Sequence, residues 1–214
     1  MNKKKLMGLV TSLSLVGVIG IGATLAYFTD KASTENIITM GHVDIKLTEN
    51  EVEKDSETGK WVQKGEDYIT EDGLTFTDIY PGDVLPKNPT ITVEDGSTDA
   101  YVRVEMKIET DDPDITSEDI SILENQLRAS IVDARPWYFD GTYYYYNTAL
   151  SEGESATLFN EVTIPTAWKN NTADGTFSIK LEAQAIQAAN FTPTKNSIGK
   201  ITSWGNVDVE EYKK

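Results

Sequence analysis

No cysteine occurs in the 214 residues, so disulfides, thiolate metal sites and thiol nucleophiles are excluded, and stability has to come from the core. Histidine is nearly absent as well, with His42 standing alone. A catalytic zinc usually takes two or three imidazoles with a carboxylate and keeps one position open; H-E-x-x-H does not occur here. A Ser-His-Asp arrangement would need His42 as its base, and no G-x-S-x-G elbow accompanies it. Ser97, in D-G-S-T-D, reads as a turn residue. Positive charge is scarce: 19 Lys and Arg face 35 Asp and Glu, a net charge of −16. Binding phosphates requires clustered cations, so no nucleic-acid partner is expected. The carboxylates are too many for any acid/base pair to be singled out, and their plainest consequence is solubility and self-repulsion. No catalytic residue and no metal ligand is assigned.

What is there begins at the N-terminus. Lys3, Lys4 and Lys5 precede an apolar run from Leu6 to Gly22, and Thr24-Leu25-Ala26 forms a small-x-small box. This is the pattern of a secretory signal peptide, residues 1–26, cut between Ala26 and Tyr27 by a signal peptidase. Leu6 to Ala26 is also long enough to span a hydrocarbon core of ~30 Å, but four glycines and the cleavage box favour processing. Membrane contact is then confined to the leader before cleavage. Removing three lysines and no acid leaves 16 basic against 35 acidic residues, or −19 on the processed chain.

Past the leader, period-2 alternation dominates. Val43, Ile45 and Leu47 alternate with polar residues, and Val102, Val104, Met106 and Ile108 alternate with Arg103, Glu105 and Lys107, as in half-buried antiparallel strands with one solvated charged stripe. Thr157 to Pro165 and Thr176 to Ala185 read as two more strands. Residues 49–73 are rich in Glu, Lys, Asp and Gly and read as an acidic hairpin insertion turning near Ser56 to Gly59, with Trp61 and Tyr68 folding it back. Pro81-Gly82-Asp83 suits a type II turn, and Asp140-Gly141 a two-residue hairpin between Trp137-Tyr138-Phe139 and the run Tyr143, Tyr144, Tyr145, Tyr146. That run is either a surface platform for a carbohydrate or partner or, the plainer reading, two core and two surface stripes of an ordinary strand.

The spacing of Ile120, Leu123, Leu127 and Ile131 predicts one helix over Thr116 to Ile131, with Thr116 and Asp119 as a capping box. The acidic run Glu109 to Asp119 in front of it fails as an EF-hand: Ser117 stands where glycine is needed and Leu123 where a bidentate Glu is needed. A looser calcium site is the one cofactor reading left open, and a solvated loop leading into a helix N-terminus explains the same residues. Residues 192–214 are weakly patterned and read as a C-terminal tail with Ile198, Ile201 and Trp204 as docking points. Many short strands, frequent turns and one helix predict an all-β fold, an antiparallel β-sandwich over residues 27–191.

G-A-T-L-A-Y-F-T-D with G-H-V-D-I shortly after, I-Y-P-G-D-V-L-P-K-N-P-T-I-T-V at Ile79 to Val93, G-S-T-D-A-Y-V-R-V at Gly96 to Val104 and A-Q-A-I-Q-A-A-N-F at Ala183 to Phe191 together resemble the TasA/camelysin family of Gram-positive exported proteins. The resemblance leaves residues 49–73 and 111–134 unmatched. It implies a SipW-type signal peptidase, a jelly-roll sandwich and self-association into secreted cell-surface or biofilm-matrix fibres. Its camelysin branch implies a metal-dependent endopeptidase instead; a monomeric surface adhesin is the third alternative. In a fibre, the arm at residues 27–40, freed by cleavage, would add as a strand to the next subunit, with Phe28, Ile37 and Ile38 filling apolar positions.

Overall fold

The computed structural model describes residues 41–133, 136–168, 172, 174–207 and 209. The leader, the Ala26–Tyr27 bond and the arm residues Phe28, Ile37 and Ile38 lie outside the described residues. The alternation at 100–109 and 178–187 becomes the longest pairing: β7 (Ala100–Glu109) runs antiparallel to β12 (Ser178–Gln187), from Glu109 opposite Ser178 to Ala100 opposite Gln187. β9 (Tyr143–Tyr146) pairs with the other edge of β7, and β8 (Trp137–Phe139) with β9, giving a sheet in the order β12-β7-β9-β8. A second four-stranded sheet has the order β10-β6-β1-β4, built from β1 (Ile45–Asn50), β4 (Ile69–Thr70), β6 (Thr90–Val93) and β10 (Ser155–Thr157). Among the described residues the fold is therefore all-β, in several antiparallel sheets, with a single helix.

One core joins the two sheets. Ile91 and Val93 of β6 and Val102 and Val104 of β7 have no exposed surface, which at the usual ~25 cal/mol per Å² stabilises by roughly 1.5–3 kcal/mol per side chain. Trp137 is also buried and donates its indole N–H to the Thr157 carbonyl at 2.9 Å, so its one polar atom is satisfied.

The expected strand over Thr157 to Pro165 is in fact two, β10 and β11 (Glu161–Thr163), the latter paired with β5 (Val84–Pro86). Both pairs keep one register, and the ladder lapses only between them, where Leu158 N–H donates to Pro89 and Lys87 N–H to Asn160. Pro89 has no N–H to return, which explains the break. At this junction Lys87 Nζ lies 2.5 Å from Glu49 Oε1, with side chains only 10 % and 8 % exposed. Beside them Asn88 and Asn50 hydrogen-bond each other, Asn88 Nδ2 to Asn50 Oδ1 at 2.6 Å and Asn50 N–H to Asn88 Oδ1 at 2.9 Å.

The helix α1 (Ser117–Asp133) lies within two residues of its expected bounds. Thr116 caps it: its hydroxyl accepts from Asp119 N–H at 3.2 Å, while Asp119 Oδ2 accepts from Thr116 N–H at 3.0 Å. Leu123, Leu127 and Ile131 form its buried face against the shared core. Trp168, which carries no sequence pattern of its own, is buried over Phe177 and donates Nε1–H to the Asp119 carbonyl at 3.2 Å.

The acidic insertion is a hairpin, β2 (Val52–Lys54) against β3 (Trp61–Gln63), with Asp55 Oδ1 accepting from Glu57 and Thr58 N–H in its turn. Trp61 folds back edge-on against Phe76, whereas Tyr68 is 56 % exposed and does not. Asp83 N–H donates to Tyr80 carbonyl at 2.9 Å across Pro81-Gly82, and Gly82 has φ 95°, as a type II turn requires. In the aromatic hairpin the two loop residues are Gly141 and Thr142, one position later than expected. Asp140 shifts the turn because its Oδ1 accepts from both Thr142 and Tyr143 N–H at 2.8 Å.

The C-terminal segment, expected as a tail with three docking points, is in part packed. β13 (Thr194–Lys195) and β14 (Ile201–Ser203) form a small hairpin, and Ile201 and Trp204 are buried in a second cluster over Tyr145. Ile198, at the hairpin tip, is 75 % exposed and is not packed into either cluster of the described residues.

Candidate functional site: an open strand edge

The feature left unfinished by this topology is the outer edge of β12. Its inner edge is paired with β7 over all ten residues, and no strand among the described residues pairs with the other edge. On the opposite sheet, β1 pairs with β6 from Ile45 to Thr48, but β4 meets its other edge only at Glu49 and Asn50. Inward-facing residues along these two edges are incompletely covered: Val43, Ile45 and Leu47 on one side, Ile179, Leu181, Ala183 and Ala185 on the other, are half-buried, while Val93 and Ile91 opposite Ile45 and Leu47, and Ile108, Val104 and Val102 opposite Ile179, Ala183 and Ala185, are buried. The two strands approach within 8 Å at Cα. A long strand with free N–H and C=O groups beside apolar side chains is a template for another strand.

The outer face of β12 is charged. Glu182 sits directly opposite Glu105 and Lys180 opposite Lys107, and the ion pairs avoid these like-charge positions: Lys180 reaches diagonally to Glu109 at 2.6 Å, and Lys107 pairs along β7 with Glu105 at 2.9 Å. Lys180 holds the Glu109 carboxyl below its ordinary range by a hydrogen bond and its charge, and Glu109 raises Lys180 in return. Exposed pairs of this kind contribute little to stability, but charge on an edge strand limits indiscriminate pairing.

Arg103 departs from the expected solvated stripe. It is buried, with its guanidinium 3.9 Å from the centre of the Tyr143 ring and 4.4 Å from that of Trp204, and it donates Nε–H to Gln184 at 2.8 Å. The second cluster covers it, which the alternation in β7 could not announce. The tyrosine run accordingly does not form an open platform. Tyr144 faces the main core, stacked on Phe139, and Tyr145 faces the second cluster with its hydroxyl donating to Asp140 at 3.0 Å; both are 2 % exposed. Tyr143 and Tyr146 are half-buried. Burial pushes the Tyr144 phenol up to about 12, and burial likewise raises Tyr145, aided by Asp140 and opposed by Arg103.

His42 is half-buried ahead of β1, its carbonyl accepting from Thr98 N–H at 3.0 Å. Among the described residues no group of three or more His, Asp or Glu is placed to hold a metal. In the acidic run, Asp112 Oδ1 accepts from Asp114 N–H and Asp112 Oδ2 from Thr176 N–H, at 3.0 and 3.3 Å, so Asp112 braces a loop. No described helix is long and apolar enough to cross a membrane. The fold and the edge together define an antiparallel all-β domain in which, among the described residues, one long strand is paired along one edge alone. Compared with protein-family models, curated proteins and solved structures, the chain has no match.

Proposed function

We propose that this chain is exported, loses residues 1–26 and becomes the subunit of an extracellular fibre, at the cell surface or in a biofilm matrix, assembled by strand addition between jelly-roll-like sandwiches. The observation that carries the reading is the unpaired edge of β12 with half-buried apolar residues beside it. The arm at residues 27–40 supplies a matching strand of fourteen residues. Ten of them, about 33 Å of extended chain, cover β12 from end to end, and four remain as a connector. Backbone bonds to the edge give affinity, and Phe28, Ile37 and Ile38 fill apolar positions along it. Because each subunit gives its arm to the next and receives another, the contact is head-to-tail and grows into a filament wherever the rotation does not close.

The test is electron microscopy of the chain beginning at Tyr27 beside one retaining residues ahead of it, with N-terminal sequencing of secreted protein. Filaments from the first and fewer from the second are expected, with secreted material beginning at Tyr27. A start elsewhere, or a full-length membrane-bound product, would contradict both processing and the arm.

A further inference from the structure

We infer that residues 192–207 form a strap that opens from the sandwich as a unit, with Trp204 on Arg103 as its clasp, and that its closure stiffens the C-terminal half of β12. The strap is separable by construction. Among the described residues its two strands pair only with each other, and its buried side chains belong to the second cluster, not to the main core. It lies over β8 and β9, tied there by Ile201 N–H donating to Asn147 Oδ1 at 3.0 Å and by Trp204 edge-on to Tyr145 and Phe191.

Beneath it, one row of outward-facing residues crosses the whole sheet: Gln184 on β12, Arg103 on β7, Tyr145 on β9 and Tyr138 on β8 are successive cross-strand neighbours. Trp204 presses on the second member of that row. The buried guanidinium stacks between Tyr143 and Trp204 and has no carboxylate among the described ion pairs. A desolvated cation held by two ring faces and by Gln184 loses part of its support when either ring is removed. Through Nε, Arg103 holds Gln184, and Ile186, two residues on, packs against the same cluster. Seating the strap therefore fixes two side chains of β12 on the face away from the core. Closure is also imperfect: Trp204 Nε1–H is buried without a partner, which disfavours the closed form relative to a ring lacking that group.

The strap's separability stands alone, whereas its consequence for assembly rests on the strand-addition reading. An ordered β12 is the better template, so strap closure and arm addition favour each other, and by linkage each raises the other's equilibrium by the same factor.

Hydrogen exchange on the intact chain, wild type beside Trp204→Ala and Trp204→Phe, tests this, with filament growth followed in parallel. Trp204→Ala should speed exchange over Thr194–Ser203 by ~30-fold or more, speed Ala183 to Gln187 to a lesser degree, leave β6 protected and slow filament growth. Trp204→Phe keeps a ring over Arg103 without the orphan N–H and should stay closed. Unchanged exchange in the strap, loss of protection throughout the sandwich, or an opened strap with β12 unaffected would each overturn the inference. Normal filaments from a Trp204→Ala chain whose β12 has loosened would overturn the coupling and leave strand addition standing. Absence of filaments from every form, wild type included, would refute strand addition and with it the coupling, while the exchange data still decide the strap.

Discussion

Removing one member of the Lys87–Glu49 pair should be among the most damaging single changes in this fold. Lys87→Met leaves the Glu49 carboxylate in a site where both side chains are about nine-tenths buried and Nζ and Oε1 are 2.5 Å apart. Breaking a buried pair from one side costs about 3–5 kcal/mol, because the remaining charge keeps its desolvation penalty and loses its partner. Against a typical domain stability of roughly 5–15 kcal/mol this is a large share. With a urea m-value of about 2 kcal/mol/M, the midpoint should fall by about 2 M. Replacing both, Lys87→Met with Glu49→Leu, removes both charges and should recover most of the loss, since apolar substitutes for a buried pair are often neutral or stabilising. Urea unfolding of the two singles and the double closes the cycle. A loss below about 1 kcal/mol in Lys87→Met at unchanged m would refute the claim that the junction is desolvated.

Thr116→Ala should cost about 1 kcal/mol by leaving Asp119 N–H without its acceptor, and Thr116→Ser should restore most of it, read by denaturant unfolding. With its phenol pushed up to about 12, Tyr144 should ionise last in an ultraviolet titration of the native protein. The raised value means that its contribution to stability is complete below pH ~10 and is lost as pH climbs through about 12, so alkaline unfolding should shift to higher pH in Tyr144→Phe.

Elements with a strict period were legible in the sequence. Val102 to Ile108 alternate so cleanly that strand, face and partner type follow, and Leu123, Leu127 and Ile131 with the Thr116 cap locate the helix. What stayed hidden depends on contacts distant in sequence. The single strand expected over Thr157 to Pro165 divides because Pro89, nearly 70 positions earlier, interrupts the partner. Arg103 looks like one member of a charged stripe until Trp204, about a hundred residues later, covers it. The packed segment at 194–204 offers only Ile198, Ile201 and Trp204 as signals, too few for periodicity. The free edge of β12 was the least legible feature, since an alternating strand has the same sequence whether one edge is paired or both. The expectation of an arm seeking an open edge came from the N-terminus, and which edge is open came from the topology.

The central claim is tested most directly by deleting Tyr27 to Thr34 from the processed chain and examining it beside the intact form by electron microscopy and light scattering, with circular dichroism as a control for folding. The truncated protein should keep the β spectrum of the intact one and remain monomeric at concentrations where the intact form grows filaments. Filaments from the truncated protein, equal in number and width to those of the intact chain, would contradict assembly by strand addition.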